Sequence, residues 1–441
     1  MTTPQQASGS GLLHALTIKS TTQPPSQVDF RQIMSEISYY DSIDSPTVSI
    51  TITLLDGAGL RTALPVLGGE EVIYSFSDTE QNTQKITGSA TVYKLAGKVR
   101  VKENLDSYTL HLYPKEQMQD QYEIVDTAFK SRKIDDMVRT IVQNYITPIS
   151  GKRLITVEPT LGHFTTTFPR ISPFTAINYL ASEAQSSDTK SSSKYFFFET
   201  SRGYIFASLQ YLMRQPVKRR FTFIEERIPG DRQFDRNRIV AMEESVAFDL
   251  ESGIMSGQLG TQVLSLDPVA KRFRSSQYLY NRDYGSIDHI SGQRRLSARS
   301  SRQFGSRYSN ESFIVTNSHQ STMPYVVGNE PERQQSFRRR QDFLRTETAA
   351  TADILSNITM ITVHGDSTLS AGDTIEIMMP VSGETRISDR ALDGFSGGKY
   401  LITALSHRMT TGGMTYVTVL ECVKDAYSQP VERTVTDANS F

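Results

Sequence analysis

The 441-residue chain has no tryptophan and a single cysteine, Cys422. One cysteine excludes both an intrachain disulfide and a cysteine-rich structural zinc site. Packing and assembly must therefore hold the fold, which suits folding in a reducing cytoplasm. Net charge is nearly absent too: 47 Lys and Arg face 48 Asp and Glu. No global field draws the whole chain toward nucleic acid or a membrane. Long apolar runs are missing; the stretch around Ile361–Val363 falls far short of the about 20 residues a membrane helix needs. The amino terminus, MTTPQQASGSG, lacks the basic and apolar regions of a secretory signal. The expectation is a soluble protein outside the standard export route.

A hydrophobic content of 37% and a charged content of 22% suit buried cores, and the length suits two to four domains. Residues 1–45, rich in Gln, Ser, Thr and Pro, read as a partly ordered arm. In 46–115, Val48, Ile50, Ile52 and Leu54 alternate with polar residues, the period of a half-buried strand. Short β-type runs follow at Glu71–Phe76, Ile86–Leu95, Val99–Lys102 and Tyr108–Tyr113, a spacing that suggests a small barrel or sandwich.

The period then changes. Ile134, Met137, Val138, Ile141, Val142 and Tyr145 form one helical stripe, with Ser131 as the expected cap and Asp135 and Asp136 in the first turn. Ser172-Pro173 opens a second helix whose apolar face is Phe174, Ile177, Leu180, Ala181 and Ala184. A flexible loop is expected over Ser182–Ser193, then a hairpin from Tyr195 to Phe206. Residues 116–235 thus read as α+β. From Ile239 the pattern is β again, with strands expected around Ile375 and Ile377, over Lys399–His407 and over Thr415–Cys422. Residues 271–345 break it with 14 basic against 6 acidic residues, +8, leaving 33 against 42, or −9, for the rest. That window reads as an insertion, and 426–441 as a polar tail.

Signatures of catalysis fail on context. Gly394-Phe395-Ser396-Gly397-Gly398 matches the nucleophile-elbow pattern, yet a strand is expected after it where the elbow needs a helix. Ser191-Ser192-Ser193-Lys194 lies in a serine-rich loop. The seven histidines, at 14, 111, 163, 289, 319, 364 and 407, show no H-E-x-x-H, and no phosphate-cradling loop occurs. The acidic pairs Glu225-Glu226 and Glu243-Glu244 are ordinary on solvated surfaces. Hence no catalytic, cofactor-binding or metal-ligating residue is assigned, and no enzyme activity is expected. In the basic window, Tyr278, Tyr280 and Tyr284 interleave with arginine, and Arg294-Arg295 and Arg338-Arg339-Arg340 concentrate charge. The readings are a solvated loop set or a surface for acidic partners, with weak DNA binding at most.

Two stretches resemble the central hub proteins of contractile bacteriophage tail baseplates, the T4-type hub family, related to the amino-terminal half of type VI secretion spike proteins. The first runs from Tyr108–Tyr113 through Ser131–Val138 and Phe168–Phe174, with Pro173 to Leu180 similar to the family's P-F-x-A-I-x-x-L helix, to the 195–206 hairpin. The second is His364–Ile375, similar to the family's G-D-x-x-L-x-x-G-D-x-I element, then Gly398–Thr403 with His407, and Tyr416. The likeness covers roughly residues 45–425 and departs at the ends and in the basic window.

The resemblance implies a mixed β and α+β fold with two similar small β-barrels, an α+β middle domain and an insertion in the second barrel. The first barrel would occupy 46–115, the middle domain 116–235, the second barrel 236–270 and 346–425, and the inserted domain 271–345. It implies a structural role as well: a homotrimeric adaptor between the sixfold tail tube and the threefold central spike, in the virion baseplate, after synthesis in the host cytoplasm. Implied partners are further copies of the chain, the spike protein, tube or tube-initiator proteins and the tape measure protein. DNA would meet it only in passing through the lumen. Neither cofactor nor membrane insertion is implied. A tail-associated peptidoglycan hydrolase and a spike component of a type VI-like system are the alternatives.

Overall fold

The computed structural model describes residues 9–21, 27–59, 65–79, 84–188, 194–223, 236–246, 249–268, 271–292, 294–315, 343–354, 356–381, 392–411 and 415–428. The leading strands are β1 (Gly11–Lys19), β2 (Gln27–Asp29), β3 (Met34–Ser42), β4 (Ser49–Asp56), β5 (Glu71–Asp78), β6 (Ile86–Lys102) and β7 (Leu105–Pro114). The alternation read in the sequence is the cause of β4: Ile50, Ile52 and Leu54 all point into one core with Tyr108, Leu110 and Leu112 of β7. The two runs expected at 86–95 and 99–102 are one strand. Gly97, at φ 62°, absorbs the irregularity as a bulge against β7, where an L side chain would be strained. Much of the expected arm is in the sheet. Leu16 and Ile18 of β1 are buried, β1 runs along β5, and β3 runs along β4.

The middle region holds β8 (Ala128–Arg132), β9 (Leu154–Val157), β10 (Phe164–Thr167), β11 (Tyr195–Thr200) and β12 (Gly203–Ser208). The helix Ile134–Ile141 buries its expected stripe and continues through a π turn, Val142–Ile146. Its cap differs from expectation. Ser131 lies at φ 49° inside β8, and the cap position is Lys133, with no side-chain bond. The turn is tied from within instead: Asp135 Oδ1 accepts from the Thr160 hydroxyl at 2.6 Å and from its amide at 3.1 Å. Ser172 does cap the helix Pro173–Glu183, accepting from the Thr175 amide, and the helix buries Phe174, Ile177, Leu180 and Ala181. Ser182 belongs to that helix; residues 189–193 lie outside the described set.

The chain continues with β13 (Arg219–Thr222), β14 (Ile239–Val246), β15 (Gly260–Asp267), β16 (Arg272–Leu279), β17 (Asn310–Val315), β18 (Ile358–His364), β19 (Thr374–Met378), β20 (Gly398–Thr410) and β21 (Tyr416–Val423). Thirteen strands join in one sheet in the order β14-β18-β21-β20-β3-β4-β7-β6-β5-β1-β2, with β19 on β20 and β13 on β19. The ladders form an open path, mostly antiparallel. Both ends of the chain therefore meet at its centre, where β3 pairs with β20 from Ser42↔Ala404 to Glu36↔Thr410. Strand β15 pairs with β16 and β17 in a separate three-stranded sheet. The ladders thus group residues 260–267 with the insertion's strands, earlier than the charge shift at 271. No described helix is long and apolar enough to cross a membrane.

Candidate assembly surfaces and the junction that positions them

The glycine-rich element at 365–373 is where the parts of the chain are fastened together. Gly365 is required by space: an added Cβ would lie 2.1 Å from the Tyr416 ring. Gly372 is required by conformation, at φ 84°, and by the Phe198 ring packed against it. Asp366 accepts from Thr368 at its amide (3.0 Å) and hydroxyl (2.6 Å) and pairs with Arg219. Burial alone would raise the Asp366 pKa, but the Arg219 charge and the Thr368 bonds carry it below the usual range. Arg236 links Asp366 to Asp78 of β5, at 3.6 and 2.7 Å. Asp373 holds Arg202 at 2.8 Å and Lys218 at 2.6 Å.

Two buried carboxylates sit at the same junction. Glu199 accepts from the Val48 amide at 3.1 Å and pairs with Lys152, which also reaches Glu116 at 3.1 Å. Burial raises the Glu199 pKa against the pull of Lys152. Asp41, on β3, has one oxygen accepting from the Ala371 amide at 3.3 Å and the other without a partner among the described residues. Burial pushes its pKa well above the carboxylate range, with Asp373 and Glu199 adding to the shift.

Among the described residues, two strands of this frame, β6 and β14, are open along one side over much of their length. Beyond Glu71↔Thr91, β6 loses β5, so its stretch from Tyr93 to Lys102 has β7 on one side and no described strand on the other. Val99 and Val101 there are 59% and 52% exposed. Residues 93–106 carry Lys94, Lys98, Arg100 and Lys102 against Glu103 and Asp106, a net +2. At one end of the sheet, β18 is the only described strand that ladders with β14, apart from one bridge between Arg238 and Thr222 just before it. It carries exposed Glu243 and Glu244 with no basic residue, −2, and Val240 is 48% exposed. The acidic pair set aside in the sequence thus occupies an open edge.

The insertion is tied to the body by His289. Its Nδ1 lies 2.8 Å from Asp425 Oδ2, its Nε2 lies 2.9 Å from the Tyr284 carbonyl, and the Tyr284 ring stacks on it at 3.7 Å. Burial would lower its pKa, but the Asp425 bond and charge outweigh that and raise it. The Asp425 carboxylate and the Tyr284 carbonyl, one at each nitrogen, favour the protonated ring. Asp353 is close by, its pKa pushed up to about 6 by burial and the Asp425 charge. His289, Asp353 and Asp425 have the spacing of a metal site, with ligand atoms within 4.8 Å. Both imidazole nitrogens are occupied, however, and Arg295 stands 3.8 Å from Asp353. An ion-paired clasp fits these groups better than a cation. Sequence spacing gave no sign of it, since the three residues span 137 positions.

The remaining sequence candidates fall as follows. The Gly394–Gly398 turn leads directly into β20. Its Phe395 and Gly397 carbonyls accept from Lys424 Nζ, and its Ser396 carbonyl accepts from the Tyr400 hydroxyl at 2.6 Å. It works as a clasped turn. Tyr278, Tyr280 and Tyr284 are core residues of the insertion, at most 4% exposed, so their rings are not available to stack on bases. Arg294 lies over the Tyr284 ring at 5.3 Å. His407 is buried between Thr418, Tyr416 and the Leu369 carbonyl, and burial lowers its pKa to about 4. His14 contacts Ser77, and His111 packs near Tyr93. His319, Glu225-Glu226 and Arg338–Arg340 lie outside the described residues.

No protein-family model and no curated protein sequence matches the chain. Solved structures do. A tail protein from Neisseria meningitidis MC58 superposes over 94% of this chain and 98% of its own, with a TM-score of 0.53 at 10% identity. A 43 kDa tail protein of prophage MuSo2 from Shewanella oneidensis superposes over 94% and 99%, with a TM-score of 0.52 at 11% identity. The chain shares the fold of these two tail proteins, in keeping with the hub-family resemblance.

Proposed function

We propose that the chain is a structural hub of a contractile-tail baseplate, a homotrimer that joins a sixfold tube to a threefold spike in the virion. One observation carries this: eight neighbouring strands divide into four from each half of the chain, β14-β18-β21-β20 and β3-β4-β7-β6. Each chain supplies two comparable units, so three copies supply six, and the same trimer meets a threefold partner on its own symmetry. Among the described residues, β6 beyond Thr91 and β14 beyond its bridge at Arg238 have no second strand, and their opposite charges permit head-to-tail addition of a second copy.

The two-barrel reading has support from single bridges. Thr222↔Arg238 brings β13 back to the start of β14, and Ser10↔Thr415 brings β1 to the start of β21. Its partners are then copies of itself, tube proteins at the strand ring, and the spike on the side of the middle domain and insertion. The hydrophobic and ionic fit of surfaces does this work, with no chemistry at Ser396.

Charge reversal tests the reading. Lys94→Glu with Lys102→Glu sets acid against acid at the β6–β14 contact and is expected to break the trimer. Adding Glu243→Lys and Glu244→Lys is expected to restore it. A trimer indifferent to both changes contradicts the edge-to-edge arrangement, and failure of the wild-type chain to co-purify with its spike contradicts the adaptor role.

A further inference from the structure

Part of one face of the insertion's sheet has no covering among the described residues. Its sheet has the order β16-β15-β17, and register fixes which residues share a side: Leu264 stands beside Ser275 and Phe313, and Leu266 beside Phe273. The alternate positions, Thr261, Val263, Ser265, Ser276 and Tyr278, are buried. Tyr278 packs there in one cluster with Ala349 and Ala350 of helix 343–354. The outer side is different. Phe273 is 64% exposed and Phe313 58%, flanking the half-buried Leu264 and Leu266 on the central strand. Two phenylalanines held open beside two leucines form an apolar patch of the kind that marks a protein contact.

We infer that this face docks on the body of a second copy of the chain. Charge decides between the possible arrangements. The 271–345 segment carries +8 and the rest of the chain −9. Two insertions meeting face to face would place +8 beside +8. An insertion seated on its neighbour's body places +8 beside −9, and the long-range field then favours encounter. That contact is heterologous, using different patches on the two copies, and such contacts close into a ring when the rotation between copies closes, as a threefold rotation does. Burying the exposed rings of Phe273 and Phe313 supplies the short-range part, since aromatic side chains dominate interface energetics. The assignment rests on the homotrimer reading above and adds a second contact to the one between strand edges.

The experiment compares native mass for the wild-type chain and for Phe273→Glu/Phe313→Glu. Both positions are exposed, so the fold is expected to survive, with an unchanged circular dichroism spectrum. The expected result is a wild-type trimer and a variant whose dissociation constant is raised by roughly 100-fold or more. A second variant reads the same face without charge. Cys422 is buried, so Phe313→Cys introduces the one accessible thiol. Its alkylation is expected to be at least roughly tenfold slower in the trimer than in diluted monomer, because an interface core excludes water. A variant trimer as tight as wild type, or equal alkylation rates in trimer and monomer, overturns the inference and leaves the hub reading standing. A wild-type chain that is monomeric overturns both.

Discussion

Gly372 and Phe198 meet across 174 positions of sequence: the glycine is at φ 84°, and an added Cβ would sit 2.9 Å from Phe198 Cζ. The contact sets the middle domain against the β20 side of the sheet. Gly372→Ala meets both a strained backbone and a ring that cannot move freely, and is expected to cost about 1–3 kcal/mol. Denaturant midpoints measure it; a variant as stable as wild type would remove this contact from the account.

Asp41 makes a prediction of opposite sign to the ion-paired Asp366. Its folded pKa lies well above the ordinary value, so the folded state binds a proton that the unfolded state releases. Stability is therefore unpenalised below the unfolded value near 3.8 and falls as pH rises above it. Asp41→Asn keeps the shape of the neutral acid and removes that penalty. Its melting temperature is expected to exceed wild type at pH 7, with the gain shrinking by pH 4. An equal gain at both values would show that charge is not the cause.

His407 behaves in the other direction. Burial holds its pKa near 4, so the folded state refuses a proton that the unfolded chain accepts near 6.5. Stability contributed by the neutral ring is full above pH 6.5 and is lost as pH falls toward 4, at up to about 1.4 kcal/mol per pH unit. His407→Gln is expected to flatten the stability profile between those values. The same slope in the variant would assign acid sensitivity to another group.

The Gly394–Gly398 turn separates a catalytic from a structural reading. Ser396→Ala is expected to leave stability within about 0.5 kcal/mol, because that side chain anchors no fold element. Lys424→Ala deprives the Phe395 and Gly397 carbonyls of their donor and is expected to cost about 2–4 kcal/mol. Loss of peptidoglycan release in Ser396→Ala alone would overturn the non-enzymatic reading.

What the sequence made legible was local. The stripe Ile134–Tyr145, the Ser172-Pro173 helix start and the alternation at Val48–Leu54 each follow from a period within a few residues, and each forms the expected element. The element at Gly365–Asp373 was visible as a family-like motif, and its glycines have separate causes: a ring at Gly365, a positive φ at Gly372. Contacts over long separations were not legible. Nothing in Glu36 announces Thr410 as its neighbour, and the fusion of both halves through β3 and β20 depends on that pairing. The burial of the interleaved Tyr278, Tyr280 and Tyr284 was not legible for the same reason, since only the packed insertion shows that they turn inward. His289, Asp353 and Asp425 share no sequence spacing and meet through the fold alone.

The edge-to-edge arrangement is tested most directly by the native mass of the intact chain at physiological salt. Three times the 49.5 kDa chain mass, lost on reversing the charges at Lys94 and Lys102 and regained when Glu243 and Glu244 are reversed as well, is the predicted result. A single-chain mass at every concentration, or an assembly that ignores both substitutions, would contradict it.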